Sequence, residues 1–132
     1  MAFFNNKKNS IKKVVTGSRN SLVLLDNGEI YAFGDNSEGQ STGLATRYLT
    51  PTLLNLDLSD TDKIVDLEIG NNHVISMTES GKIYLWGSTD EGKLGLSESN
   101  SFVCNPKLNN KLIGSKIFNF YAGKHLSIFI CN

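Results

Sequence analysis

The stretch from Ile83 to Gly95, IYLWGSTDEGKLG, sets four apolar residues before a turn marked by Gly87, Gly92 and Gly95. The chain carries a close variant upstream, IYAFGDNSEGQSTG, from Ile30 to Gly43. Aligning the two puts Gly34 and Gly87 53 residues apart, together with Gly28/Gly81, Gly39/Gly92, Glu38/Glu91 and Ile30-Tyr31/Ile83-Tyr84. Gly17, Gly70 and Gly123 keep that interval, as do Ile11, Ile64 and Ile117. A fixed interval held through so many glycines marks a repeat architecture. The interval falls to 52 at Gly43-Leu44 and Gly95-Leu96, so the first exit turn is one residue longer. The spacing predicts an arm over 1–10, repeats over 11–63 and 64–116, and the start of a third over 117–132.

Each unit reads as β-structure. Lys63–Gly70 alternates apolar and polar residues, the pattern of a half-buried strand. His73–Thr78 is a second strand, and Glu29–Phe33 and Lys82–Trp86 are third strands. Asp26-Asn27-Gly28 and Glu79-Ser80-Gly81 join strands two and three. Asn-Gly is a strong hairpin signal, since both residues tolerate positive φ. Leu22–Leu25, Ile30–Phe33 and Ile83–Trp86 are apolar throughout, so these strands need cover on both faces. Outer strands are expected at Thr52–Leu56 and around Asn105–Leu108, with Pro51 and Pro106 at their starts as strand-edge signals. Short antiparallel strands with doubly covered inner members, in units of about 50 residues, are propeller blades. The fold class is therefore all-β, a partial β-propeller of about 2.5 four-stranded blades in an incomplete ring.

Composition narrows the function. Thirteen Lys and Arg balance thirteen Asp and Glu. A zero net charge argues against nucleic-acid binding driven by phosphate neutralisation. Lys7, Lys8, Lys12 and Lys13 form a local basic cluster, read as a solvated arm or strand edge. The sequence shows no secretory signal pattern, no apolar run long enough for a membrane span, no glycosylation sequon and no Cys-x-x-Cys pair. An intracellular protein, cytoplasmic or nuclear, with Cys104 and Cys131 as free thiols is expected.

The assembled motif is Gly-x-x-His, then Asn/Ser-Gly-x-Ile-Tyr-x-Phe/Trp-Gly, then a Gly-spaced exit turn. It resembles the regulator of chromosome condensation repeat. Gly70-Asn71-Asn72-His73 and Ser80–Gly95 fit best. Asp26–Gly43 departs with Phe33 for Trp, an extra residue at Ser41-Thr42, and Asn20 for His; the third unit has Leu126 at the His position. The resemblance implies a propeller of about seven blades, a protein partner and, for some members, nucleotide exchange on a Ran-like small GTPase.

The exit turns do not carry chemistry by their pattern. Asp35, Asn36 and Glu38 lack the alternating oxygen ligands and terminal bidentate Glu of a calcium loop, and Asp35 becomes Ser88 in the second copy. No Gly-Lys-Ser/Thr follows, so no phosphate cradle forms. His73 and Ser76 fall on opposite faces of one strand, and His73 is read as hydrogen-bonded within its own repeat. No metal, no cofactor and no catalytic constellation is expected, hence no enzyme. The candidate partner-contacting positions are Asp35, Asn36, Glu38, Thr89, Asp90 and Glu91, with the connections Ala45–Pro51 and Ser97–Asn105. Such loops sit on a rigid scaffold, where binding residues concentrate.

Two units and a partial third leave blade faces open. Leu22, Leu24, Ile75, Tyr84 and Phe120 are expected to line them, and Leu126–Cys131 ends the chain on an apolar strand. Exposed faces call for a partner. Three arrangements meet this: a piece of a larger propeller, association with copies of itself or another chain, or folding back of MAFFNN over an edge. The expected function is a protein-interaction module, with guanine-nucleotide exchange as the alternative.

Overall fold

The computed structural model describes residues 2–4, 9–42, 46–56, 58, 62–97 and 100–132. Lys7 and Lys8 of the arm and Gly43, Leu44 and Ala45 of the first exit turn lie outside the described residues. Ten strands are described: β1 Ile11–Thr16, β2 Asn20–Leu25, β3 Ile30–Asp35, β4 Arg47–Leu53, β5 Ile64–Ile69, β6 His73–Thr78, β7 Ile83–Ser88, β8 Phe102–Leu108, β9 Ile117–Ala122 and β10 Ser127–Cys131. They form two four-stranded sheets, β1-β2-β3-β4 and β5-β6-β7-β8, and a two-stranded sheet of β9 and β10. Every pairing is antiparallel. The sheets are blades stacked through β1, β5 and β9 along one side.

The registers repeat as the sequence does. Val23 faces Tyr31 across β2 and β3, and Ser76 faces Tyr84 across β6 and β7. A period-two strand then puts Val23, Leu25, Tyr31 and Phe33 on one face of the first blade and Leu22, Leu24 and Ala32 on the other. The second face joins Ile64, Leu67, Tyr48, Leu85, Trp86, Leu94 and others in a core that runs through all three blades. Burying each such Leu or Ile side chain contributes about 1.5–3 kcal/mol.

The hairpin turns differ from expectation. Gly28 and Gly81 take positive φ, at 90° and 85°, but Asn27 and Ser80 do not. Leu25 N–H donates to the Glu29 carbonyl and Gly28 N–H to the Leu25 carbonyl. The loop therefore has three residues ending in a left-handed glycine, a type that needs only one positive φ. Asn27 uses its side chain to accept from Glu29 N–H at 3.0 Å.

The outer strands also start earlier than predicted. β4 covers Arg47–Leu53 and β8 covers Phe102–Leu108, so Pro51 and Pro106 lie inside their strands. Each falls at a register shift: Ala32 pairs with Thr52 but Gly34 with Tyr48, and Leu85 pairs with Lys107 but Gly87 with Val103. Three outer-strand residues there face one inner residue. A bulge on an edge strand leaves a proline no ladder bond to make.

The residues expected on open faces are instead buried. Leu22, Leu24, Ile75, Tyr84 and Phe120 are all at most 1% exposed. They lie within the stack because one blade supplies the cover for the next. The face of the first blade that bears Val23, Leu25 and Tyr31 is covered by the N-terminal segment. Phe4 is buried there with Phe33 packed alongside. The Phe3 and Phe4 rings stand edge-on to Tyr31 at 5.7 and 5.4 Å. At the opposite end of the stack, Tyr121, Leu126, Ile128 and Ile130 are exposed. No helix among the described residues is long and apolar enough to cross a membrane.

Candidate partner-binding surface

The β1–β2 and β3–β4 connections, and their counterparts in the later units, leave the sheets at the same end. Asn20 pairs with Gly34 and His73 with Gly87, which ties the two connections of each blade together at their bases. Gly34 and Gly87 have φ of 106° and 101°, and a Cβ there would run into the carbonyls of Arg19 and Asn72. Only glycine allows the strand to leave this close to the neighbouring loop. Asp35 N–H and Ser88 N–H then donate to those same carbonyls, at 2.9 and 2.8 Å.

The predicted contact residues occupy distinct positions on this end. Asp35 closes β3, accepts from the Ser37 hydroxyl at 2.9 Å and lies 3.7 Å from the Arg19 guanidinium. Burial pushes its carboxyl up, but Ser37, Arg19 and Arg47 outweigh this and hold it below the ordinary carboxylate value. Asn36 is buried, and its amide organises the turn: Oδ1 accepts from Ser41 N–H at 2.6 Å and Nδ2 donates to the Thr42 carbonyl at 2.8 Å. Glu38 is half-buried, with its backbone N–H donating to Gln40 Oε1. Thr89 is half-buried and its hydroxyl donates to the Asn100 carbonyl at 2.6 Å. Asp90 and Glu91 are exposed at the tip of the second exit turn. Glu91 adopts φ of 61° and its carboxylate lies 3.4 Å from His125 Nδ1, in the next unit. Arg19 and His125 occupy equivalent positions two repeats apart, a basic pairing to the exit-turn acids that the motif reading missed. The Ala45–Pro51 connection is described from Thr46 on, most of it as β4, and within Ser97–Asn105 the described residues are Ser97 and Asn100–Asn105.

Contacts between units fix this end. Gly17, Gly70 and Gly123 form a column at the β1–β2, β5–β6 and β9–β10 connections. A Cβ on Gly17 would lie 3.1 Å from the Gly70 carbonyl oxygen, and one on Gly70 would overlap the Gly123 carbonyl oxygen. Trp86 is fully buried and its indole N–H donates to the Gln40 carbonyl of the previous unit at 3.1 Å. Lys13 reaches across to Asp66 at 2.9 Å and Glu68 at 2.5 Å. Burial lowers the Lys13 ammonium, and the two carboxylates more than reverse this, so its pKa is raised.

His73 is fully buried, and its partner lies in the following unit rather than in its own. Nε2 stands 3.1 Å from Ser127 Oγ, whose single proton goes to the Lys93 carbonyl at 2.7 Å. The hydroxyl can then only accept, which places the imidazole proton on Nε2. Nδ1 is left without a hydrogen-bond partner. Burial, with a smaller push from Lys93, lowers the His73 pKa to about 4. The sequence could not show this bond because it spans 54 residues and depends on how adjacent blades stack. Ser76 is buried in the same strand and its hydroxyl has no partner, and no hydrogen bond joins it to His73. Among the described residues no three His, Cys, Asp or Glu side chains are grouped to hold a metal ion.

The profile of the regulator of chromosome condensation (RCC1) repeat matches residues 11–40. The mouse X-linked retinitis pigmentosa GTPase regulator is 37% identical over 101 residues, 76% of this chain and 10% of that protein. The bovine secretion-regulating guanine nucleotide exchange factor is 35% identical over 82 residues, 62% of this chain and 18% of that protein. The chain thus spans less than a fifth of these relatives. Among solved structures, human WBSCR16 superposes with a TM-score of 0.85 at 20% identity, over 96% of this chain and 32% of that one. Yeast RCC1 (Prp20), crystallised with Kap60, gives 0.81 at 23%, over 96% and 28%. The superpositions identify the fold as part of a β-propeller, and the profile match, the relatives and the repeated motif together identify the chain as built from regulator of chromosome condensation repeats.

Proposed function

We propose that the chain is a protein-interaction module whose partner docks on the loop end of the stack, centred on Asp90 and Glu91 of the second exit turn with Asp35 and Glu38 of the first. The observation that carries this reading is the contrast within the exit turns. Their stems are fixed by glycine-dependent backbone bonds, while Asp90 and Glu91 stand in solvent. Acidic side chains held on a rigid base steer a basic partner surface and fix its orientation. The names of the relatives, a GTPase regulator and an exchange factor, make a small GTPase the first partner to try. Proximity labelling with the chain and with its Asp90→Lys/Glu91→Lys double variant tests the reading. Partners enriched by the parent and lost with a folded double variant support it; an unchanged partner set rejects it.

A second reading is guanine-nucleotide exchange on a Ran-like GTPase, favoured by likeness to the bovine exchange factor. Exchange needs no covalent chemistry; tighter binding of the nucleotide-free GTPase than of the loaded form suffices. Release of a fluorescent guanine nucleotide from several small GTPases measures it. No acceleration at large excess of the chain excludes exchange by this segment.

A further inference from the structure

We infer that the groove between the β6–β7 turn and the β8–β9 connection binds a peptide segment of a partner protein, one that carries large apolar side chains between carboxylates. The groove lies at the end of the stack opposite the exit turns, so this surface is separate from that of the proposed function. It holds about 520 Å³. Ile83, Leu112 and Ile117 give it an apolar lining, and Ile113, 64% exposed, stands at its rim. Lys82 comes from the turn side and Lys116 from the connection side. Lys111 is exposed on the one-turn helix Asn110–Leu112 between the two blades.

The molecule carries its own comparison. The equivalent groove between the first and second blades, beside the β2–β3 turn and the β4–β5 connection, holds about 400 Å³. It is open although a four-stranded blade flanks it on either side, so such a groove does not arise from an unfinished blade. At the 53-residue interval Glu29 stands where Lys82 does, and residues 54–63 match 107–116. Asp57, Asp60 and Asp62 give way to Asn110, Ile113 and Ser115, while Leu54 and Leu58 give way to Lys107 and Lys111. Apart from Asp26 and Glu79, which correspond, the first set holds four acids and one lysine, and the second holds four lysines and no acid. The charge is thus inverted on one scaffold. Asp62 lines the first groove and bonds Ser80 at the boundary, where its charge also acts on Lys82. The shapes differ as well: a Cβ on Gly28 would lie 2.8 Å from the Lys63 stem, whereas one on Gly81 meets nothing within 4 Å. The lysine that fills the first groove at its turn leaves the second one clear. An apolar side chain fits that cleft while flanking carboxylates meet the ammonium groups, the complementarity that fixes partner and register. With zero net charge the chain has no general attraction for polyanions, and a cleft with an apolar lining suits a side chain rather than a phosphate backbone.

The test uses the 132-residue chain and a fluorescein-labelled peptide, DEDLFDDE. Saturable anisotropy is expected, with the amide signals of Gly81 and Gly114 shifting in NMR spectra. Lys82→Glu and Lys116→Glu, one from each side of the groove, are each expected to weaken binding about fivefold or more. Lys63→Glu, the counterpart in the first groove, is expected to change it less than about twofold. Replacing the peptide's Leu-Phe with Ser-Ser is expected to weaken binding at least about tenfold, because the apolar burial is lost. That change leaves the fold of the chain untouched, so it decides the matter even where a lysine variant unfolds. The proposal is overturned by the absence of saturable binding, by equal effects of Lys63→Glu and Lys116→Glu, or by shifts confined to other parts of the chain. Equal binding of the Ser-Ser peptide overturns it in favour of a general polyanion surface. Displacement of the peptide by phosphatidylserine vesicles or duplex DNA at lower concentration than by unlabelled peptide overturns it in favour of a membrane or a nucleic acid.

Discussion

The junction between the first and second blades and the junction between the second and third are built from the same repeat, yet different forces hold them. The first carries charge: Lys13 bridges Asp66 and Glu68, about one-third exposed, and Trp86 donates to the Gln40 carbonyl. The second centres on a neutral chain, His73 to Ser127 to the Lys93 carbonyl, closed off from solvent at the histidine, with the exposed Glu91–His125 contact at its rim. A repeat frame thus fixes where neighbouring units touch and leaves the chemistry of the touch free to vary. Asn20 illustrates this, since it stands at the His73 position and bonds Ser41 at 3.3 Å within its own unit.

The largest blow to the first junction is Trp86→Ala. Removing a fully buried indole is expected to cost about 3–5 kcal/mol, read as a fall in the urea midpoint. The second junction should respond to acid instead. The His73 pKa in the folded chain, about 4, lies below the ordinary value of 6.5. As pH falls through that window the unfolded chain takes up the proton first. The stabilisation is therefore complete above about pH 6.5 and is lost progressively toward pH 4. At about 1.4 kcal/mol per unit of pKa difference, the loss reaches roughly 3 kcal/mol. Urea melts from pH 7.5 to 4 measure it, and a His73→Asn variant is expected to show a shallower decline. An equal slope in the variant would remove His73 as the cause.

Gly70→Ala tests what the junctions share. A Cβ there meets the Gly123 carbonyl and the His73 ring, so a destabilisation of about 1–3 kcal/mol is expected. The smallest effect belongs to Lys13→Met, below about 1 kcal/mol for a pair this exposed. Added salt should erase that difference at the first junction while leaving the His73-dependent pH profile in place.

The strands and their order were legible in the sequence because alternation and glycine punctuation are local signals. β6 begins and ends at His73 and Thr78 as read from its pattern. The outer strands were misjudged because Pro51 and Pro106 look like strand starts, and only the opposing register shows the bulges that admit them. Of the candidate surface, the sequence located the exit turns but not their basic neighbours. Arg19 and His125 occupy positions where the motif expects nothing in particular, and their approach to Asp35 and Glu91 depends on backbone geometry at both loops. The burial of Asn36 was hidden for a similar reason: Asp-Asn-Ser reads as solvent-facing until the turn folds onto that amide.

The column of Gly17, Gly70 and Gly123 has a consequence for how such chains lengthen. Where the glycines meet, each unit presents its neighbour with bare main chain, a carbonyl oxygen against a missing side chain. Main chain is the same whatever the amino acid. A duplicated segment therefore brings a compatible neighbour at this contact in the event that creates it, with no matching substitution needed on either side. The glycine column acts as a standard coupling that lets copying come first and the charged and neutral specialisation of each junction come afterwards.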